Sequence, residues 1–140
     1  MPTPQRTLCI IKPDACEKHV QGAILQRLLD EGFRLLGLRQ LTLSRPQAEG
    51  FYAIHTGRPF FEDLCRFMTR GPIVVMALER DDAVMYLRKV IGATDPSKAD
   101  ERTIRKQHGT NVGENAVHGS DSEENGRKEC AFFFAEYEML

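Results

Sequence analysis

The run Thr7-Leu8-Cys9-Ile10-Ile11 constrains the fold most. It is apolar at nearly every position instead of every second one, which places a strand of this kind at the centre of a sheet. It stops at Lys12-Pro13-Asp14, where proline cannot donate to a ladder. Lys12 therefore emerges at a strand's end, a common place for a charge that contacts a ligand in folds mixing helices and strands. A solvated surface lysine is the plainer alternative.

Around that strand the chain alternates periods. Gly22 to Glu31 carries Ile24, Leu25, Leu28 and Leu29 on one helical face, with Gly32 at its C-terminal end. Phe33 to Leu43 reads as a second strand. Ser44, with Gln47 three residues on, has a capping-box pattern that opens a short helix ending near Tyr52. After Gly57-Arg58-Pro59, Phe61, Leu64, Cys65 and Met68 form one apolar stripe on a helix over 60–69. Phe60 lies at the margin of that stripe, where an aromatic ring serves either as a flat platform for a base or folds back on its own helix. Ile73 to Leu78 is a third strand, and Asp81 or Asp82 caps a helix ending at Gly92. Arg88, one turn beyond Val84, leaves at the border of that helix's buried face. It either snorkels or aims its fork at a phosphate. From Ala93 to Gly113 no apolar period is sustained, and a segment of that length is functional or makes subunit contacts. Val117 and its neighbours form a fourth strand, and Ser122 opens a last helix to Phe134, weakened by Gly126. This order fits an α/β (α+β sandwich) fold, a ferredoxin-like β-α-β-β-α-β core with an antiparallel sheet and extra helices.

With 140 residues the chain suits a single domain over 1–140. A net charge of -1 supplies no global field for nucleic acid or anionic membrane. The cysteines Cys9, Cys16, Cys65 and Cys130 have no zinc spacing and read as reduced thiols. No apolar segment is long enough for a signal peptide or a membrane span, so the expected location is cytoplasmic.

The chemistry centres on Asn115-Ala116-Val117-His118-Gly119-Ser120-Asp121-Ser122. His118 ends a strand-like run, and Glu129 lies along the helix that Ser122 opens, so a carboxylate can return to orient the imidazole. An imidazole held by one ring nitrogen presents the other as a neutral nucleophile, although a histidine in a turn can equally be a simple hydrogen-bonding group. The chain has no P-loop, no Rossmann fingerprint and no protein-kinase signature, and its histidines lack metal-ligand spacing. If Lys12, Arg88 and Arg105 converge on His118, they would neutralise charge on phosphoryl oxygens.

Five blocks carry a resemblance: IKPDA at 11–15, RPFF at 58–61, GATDP at 92–96, TIR at 103–105 and NAVHGSDS at 115–122. In order over nearly the whole chain, they resemble the nucleoside diphosphate kinases. The resemblance implies a ping-pong reaction in which His118 takes the γ-phosphoryl of a nucleoside triphosphate, mainly ATP, and passes it to a nucleoside diphosphate. It further implies that Glu129 orients the imidazole and that Ser120 supports the pair. Lys12, steadied by Tyr52, would contact the γ-phosphate and the ribose 3′-hydroxyl. Arg88 and Thr94 would hold the β-phosphate, Arg105 the transferred group and Asn115 the sugar. Phe60 would stack on the base with Val112 on its other face, a mode indifferent to base identity. Mg2+ would be carried by the nucleotide phosphates, with no protein metal site, and the chain would be a homo-oligomer, a tetramer in preference to a hexamer.

Two places depart from the family pattern: Glu101-Arg102 replaces a usual glycine before TIR, and Gln107-His108 replaces Asp-Phe. A non-catalytic nucleotide-binding module on the same fold is the competing reading. Nucleic-acid binding of the RRM type is opposed by the acidic pI of about 6.4 and the lack of an RNP-like aromatic strand.

Overall fold

In a computed structural model, residues 4–140 are described; the part of the expected 1–140 domain that falls on residues 1–3 lies outside them. Four antiparallel strands form one sheet in the order β2-β3-β1-β4: β1 (Pro4–Ile11), β2 (Arg34–Leu41), β3 (Ile73–Asp81) and β4 (Val117–Gly119). This is the ferredoxin-like arrangement expected from the element order.

The apolar run of β1 is explained by what lies on each side of it. Leu8 and Ile10, with Val75 and Ala77 opposite them on β3, belong to one core; Cys9 and Ile11, with Val74 and Met76, belong to another. Helices α2 (Gln21–Asp30) and α5 (Ala83–Ile91) cover the second face. The first face is covered by α3 (Arg45–Phe51), α4 (Phe61–Met68) and α7 (Glu123–Phe133). Both faces of the sheet are therefore buried, and alternation gives way to continuous hydrophobicity. All four cysteines lie in this interior, unpaired.

Two strands run longer than their apolar cores. Pro4, Gln5 and Arg6 pair with Asp81, Arg80 and Glu79. The ladder continues where side chains reach water because each overhang satisfies the other's backbone groups. At α3 the capping box is as expected: Ser44 Oγ accepts from the Gln47 amide and Gln47 Oε1 from the Ser44 amide. At α5 it is not. Asp82 sits at the N-terminal position with φ of 54° and its side chain caps nothing; Gln5 of β1 reaches across to accept from the Val84 amide at 3.3 Å. The left-handed turn directs the aspartate away, and a neighbouring strand takes over the role.

The segment 93–113 is also more ordered than its composition suggests. It holds a 3-10 turn at Pro96–Lys98 and a short helix α6 (Ile104–His108). Asp95 and Thr103 cap them through their side chains, and Ile104 plugs into the core cluster on the α5 side. Isolated caps leave no hydrophobic period to read. A further short helix, α1 (Pro13–Glu17), follows Lys12 directly and was masked in the sequence by its brevity.

Helix α7 crosses β1 closely enough that a Cβ on Gly126 would collide with the Arg6 carbonyl and press on the Thr7 Cα. Glycine costs the helix about 1 kcal/mol relative to alanine, yet backbone cannot yield as a flexible side chain can. Gly126→Ala is therefore expected to be destabilising overall, by about 1–3 kcal/mol, read as a fall of several degrees in the melting temperature. An unchanged or higher melting temperature would contradict this close crossing.

Candidate active site

The position of His118 follows from strand register. Residues directly opposite on an antiparallel pair share a face, and His118 stands opposite Ile10. Its ring is thus on the α7 side of the sheet, while Val117 and Gly119 face α5. Gly119 has no room for a side chain: a Cβ would lie 2.8 Å from the Ile91 Cδ1.

On the α7 side, His118 Nε2 is 2.7 Å from Glu129 Oε1. Ser120 Oγ donates to the same oxygen at 2.7 Å and accepts from the Leu8 amide at 3.1 Å. Ser120 is fully buried and tied to β1 a second time through its own amide and the Leu8 carbonyl. A carboxylate only accepts, so with Glu129 ionised the imidazole proton resides on Nε2 and the lone pair on Nδ1. Phe51 packs edge-on against the ring, with centroids 5.8 Å apart, and restricts its rotation.

A second chain of contacts begins at the end of β1. Lys12 Nζ donates to Asn115 Oδ1 at 2.9 Å, and Asn115 Nδ2 donates to the Thr94 carbonyl at 3.0 Å. Arg105, on α6, donates through Nη1 to the Gly92 carbonyl and through Nη2 to the Val117 carbonyl, each at 3.0 Å, which brings its guanidinium beside the histidine strand. Its Nε is buried without a partner. Arg88, Thr94, Arg105 and Gly119 border a cleft of about 400 Å³.

Arg105 is close enough to Lys12 and to Arg88 for like charge to matter. Burial, then Arg105, push the Lys12 ammonium down to about 8, with Asp14 pulling weakly the other way. Burial and Arg88 likewise lower Arg105. Like charges gathered in partly buried surroundings repel one another, and a polyanion would offset that repulsion.

The remaining sequence candidates lie further out. Phe60, at the N-terminal end of α4, is 48% exposed and Val112 is 55% exposed, as surfaces offered to a flat ligand would be. His55 packs edge-on to Phe60 at 5.2 Å. Tyr52 is buried in the α3–α4–α7 core against Phe51, and its hydroxyl is held above the usual tyrosine range by burial and Glu129. Among the described residues no hydrogen bond joins Tyr52 to Lys12, whose ammonium is engaged by Asn115. The two departures are held by main-chain contacts: Arg27 donates to the Arg102 carbonyl, and Lys18 to the His108 carbonyl.

Sequence reasoning missed Phe51 and Asp14. Phe51 carried no signal beyond an apolar position on a short helix. Asp14 stands beside Lys12-Pro13, but nothing in the local pattern announces its partner, the Ala116 amide.

A model of the nucleoside diphosphate kinase family matches residues 5–139. The chain is 59% identical over 135 residues to a nucleoside diphosphate kinase of Sorangium cellulosum, covering 96% of this chain and 94% of that one. It is 50% identical to one from Geobacter sulfurreducens, covering 97% and 99%. The solved nucleoside diphosphate kinase of Aquifex aeolicus superposes with a TM-score of 0.96 at 42% identity, covering 99% of this chain and all of that one. That of Halobacterium salinarum, in complex with CDP, superposes at 0.93 with 35% identity, covering 99% and 92%. A strand-borne histidine held by a carboxylate, with Arg105 gripping the same strand through the Val117 carbonyl, has the groups that phosphoryl transfer calls for. The chain belongs to the nucleoside diphosphate kinase family, which transfers phosphoryl groups between nucleotides by way of a histidine.

The depressed Lys12 ammonium gives a pH signature. Affinity for a nucleoside triphosphate, measured calorimetrically, should weaken as pH rises through about 8, with the inflection absent in Lys12→Met. Between about 8 and 10.5 the unfolded lysine retains more proton than the folded one, so folding stability of the free protein gains with pH in that window. Affinity that stays flat across it would contradict the assigned environment of Lys12.

Proposed function

We propose that His118 is the nucleophile of a two-step transfer of the γ-phosphoryl group from a nucleoside triphosphate, mainly ATP, to a nucleoside diphosphate. The observation that carries this is the engagement of Nε2 by Glu129 at 2.7 Å, which leaves Nδ1 as the free lone pair. In the first step an Nδ1–P bond forms as the bond from the γ-phosphorus to the bridging β–γ oxygen breaks, and the nucleoside diphosphate leaves with that bond's electron pair. In the second, a terminal β-phosphate oxygen of the incoming diphosphate attacks the same phosphorus and Nδ1 departs. Glu129 holds the Nε2 proton throughout and offsets the positive charge that the ring acquires on phosphorylation. Ser120 keeps Glu129 from rotating. Donor and acceptor are chemically alike, so one cleft serves both steps.

In this reading Arg88 and Thr94 hold the β-phosphate, Arg105 the transferred group, and Lys12 the γ-phosphate and ribose 3′-hydroxyl, with Tyr52 steadying Lys12 once the nucleotide is bound. Asn115 contacts the sugar, while Phe60 and Val112 flank the base. Their half-exposed surfaces support base stacking, worth about 1–3 kcal/mol and insensitive to base identity. The CDP bound by the Halobacterium salinarum relative supports a nucleotide here.

The family generally requires a divalent metal; we infer Mg2+, held by the nucleotide phosphates. Among the described residues no group of three or more His, Cys, Asp or Glu could hold an ion, whereas the side chains facing the cleft suit phosphate oxygens. The ion would supply charge neutralisation at the β- and γ-oxygens. We further propose one domain over 1–140, a cytoplasmic location and a homotetramer. The location agrees with the described helices, none of which is long and apolar enough to cross a membrane.

Incubation with γ-labelled ATP should label the protein in an acid-labile, alkali-stable form. The label should be lost in His118→Ala and form about 10-fold or more slowly in Glu129→Ala. Unlabelled wild-type protein would defeat the proposal and favour a non-catalytic nucleotide-binding module. Sedimentation equilibrium tests assembly: a tetramer mass is expected, and a monomer, dimer or hexamer would reject the tetramer.

A further inference from the structure

Ala116 is a buried non-glycine residue with φ of 73°. The Val117 amide donates to the Asn115 carbonyl at 2.9 Å, closing a three-residue turn around it. A γ-turn of positive φ is rare and strained for a residue with a Cβ. Such a conformation persists only where its surroundings over-determine it. This turn lies between two residues of the active site, Asn115 and His118.

Two groups from the end of β1 grip it. The Lys12 amide donates to the Ala116 carbonyl at 2.8 Å, and Asp14 Oδ2 accepts from the Ala116 amide at 3.0 Å. Asp14 is 2% exposed, and its other oxygen, Oδ1, is buried with no partner. A half-satisfied buried carboxylate is a poor device for stability alone. Its surroundings confirm the tension: burial raises its pKa, while the Ala116 amide and Lys12 oppose that rise.

We propose that Asp14 is a positioning residue whose carboxylate clamps the strained turn at Ala116 and thereby aims both Asn115 and the His118 imidazole. The proposal rests on His118 being the nucleophile. The turn has one consequence on each side. Before it, Asn115 is set to receive Lys12 and reach Thr94. After it, the chain enters β4 in the register that puts His118 opposite Ile10 and on the side of Glu129. The competing role for Asp14 is a simple one: it lies in the first turn of α1, where a carboxylate favours the helix end.

The test is a set of variants assayed for kcat, KM and melting temperature: Asp14→Ala, Asp14→Asn, Ala116→Gly and the double variant Asp14→Ala/Ala116→Gly, with His118→Ala alongside. Glycine adopts the turn without a clamp, so the double variant separates the two roles. Asp14→Ala should lose about 10- to 100-fold in kcat with a smaller change in KM. Asp14→Asn keeps an acceptor for the amide and should recover most of that loss. The double variant should also recover most of it, although Ala116→Gly does nothing for α1. Folded Asp14→Ala with wild-type kcat, beside an inactive His118→Ala, overturns the clamp while sparing the nucleophile. A folded double variant no faster than Asp14→Ala overturns it too. An active His118→Ala instead defeats the reading on which the clamp rests. If Asp14→Ala does not fold, the unmutated protein decides by NMR: the Ala116 amide must exchange slowly and its carbon shifts report a left-handed residue, and a fast-exchanging amide overturns the proposal.

Discussion

The site depends on one pairing, that of the three-residue strand β4 with the end of β1. The register of His118 against Ile10 decides which side of the sheet receives the imidazole. A slip of one residue would turn the ring toward α5 and away from Glu129. Everything nearby holds that register. Val117 fills the α2–α5 core, Gly119 allows the Ile91 side chain to approach, and Ser120 is bonded twice to Leu8. Helix α7 then settles onto β1, with Gly126 against the Arg6 carbonyl, and delivers Glu129 to the ring. A hydrogen bond of 2.7 Å is thus fixed by packing on both faces of the sheet.

Charge around the cleft is arranged at an electrostatic cost to the protein itself. Lys12, Arg88 and Arg105 come from the end of β1, from α5 and from α6, and each neighbour makes the next harder to keep charged. Arg105 is held by main-chain acceptors, the Gly92 and Val117 carbonyls, and Lys12 by the Asn115 side chain. None of those partners is an anion. Polyphosphate would meet preorganised cations whose mutual repulsion it removes, the electrostatic condition for stabilising charge on a phosphoryl group in transit.

Much of this was legible along the chain. The doubly buried β1, the stripe on α4, the caps at Ser44 and Ser122, and the pairing of His118 with Glu129 all rest on local pattern, and local pattern survives folding when packing agrees with it. The failures share a cause. Asp82 caps nothing because its left-handed backbone turns the side chain away, and Gln5 of another strand accepts from the Val84 amide instead. Segment 93–113 is ordered by single caps and one buried isoleucine, which leave no period. Asp14 meets Ala116 across the sheet's end, a contact that no spacing within either segment announces.

The sequence by itself determined the four strands, the longer helices, the family and the histidine candidate, because these depend on residue types at fixed local separations. Only the tertiary structure decided which ring nitrogen is free, that Arg88 and Arg105 border one cleft, and that a strained turn stands two residues before His118. Those are properties of angles and distances between segments remote in the chain, and they come into being when the two faces of the sheet are buried together.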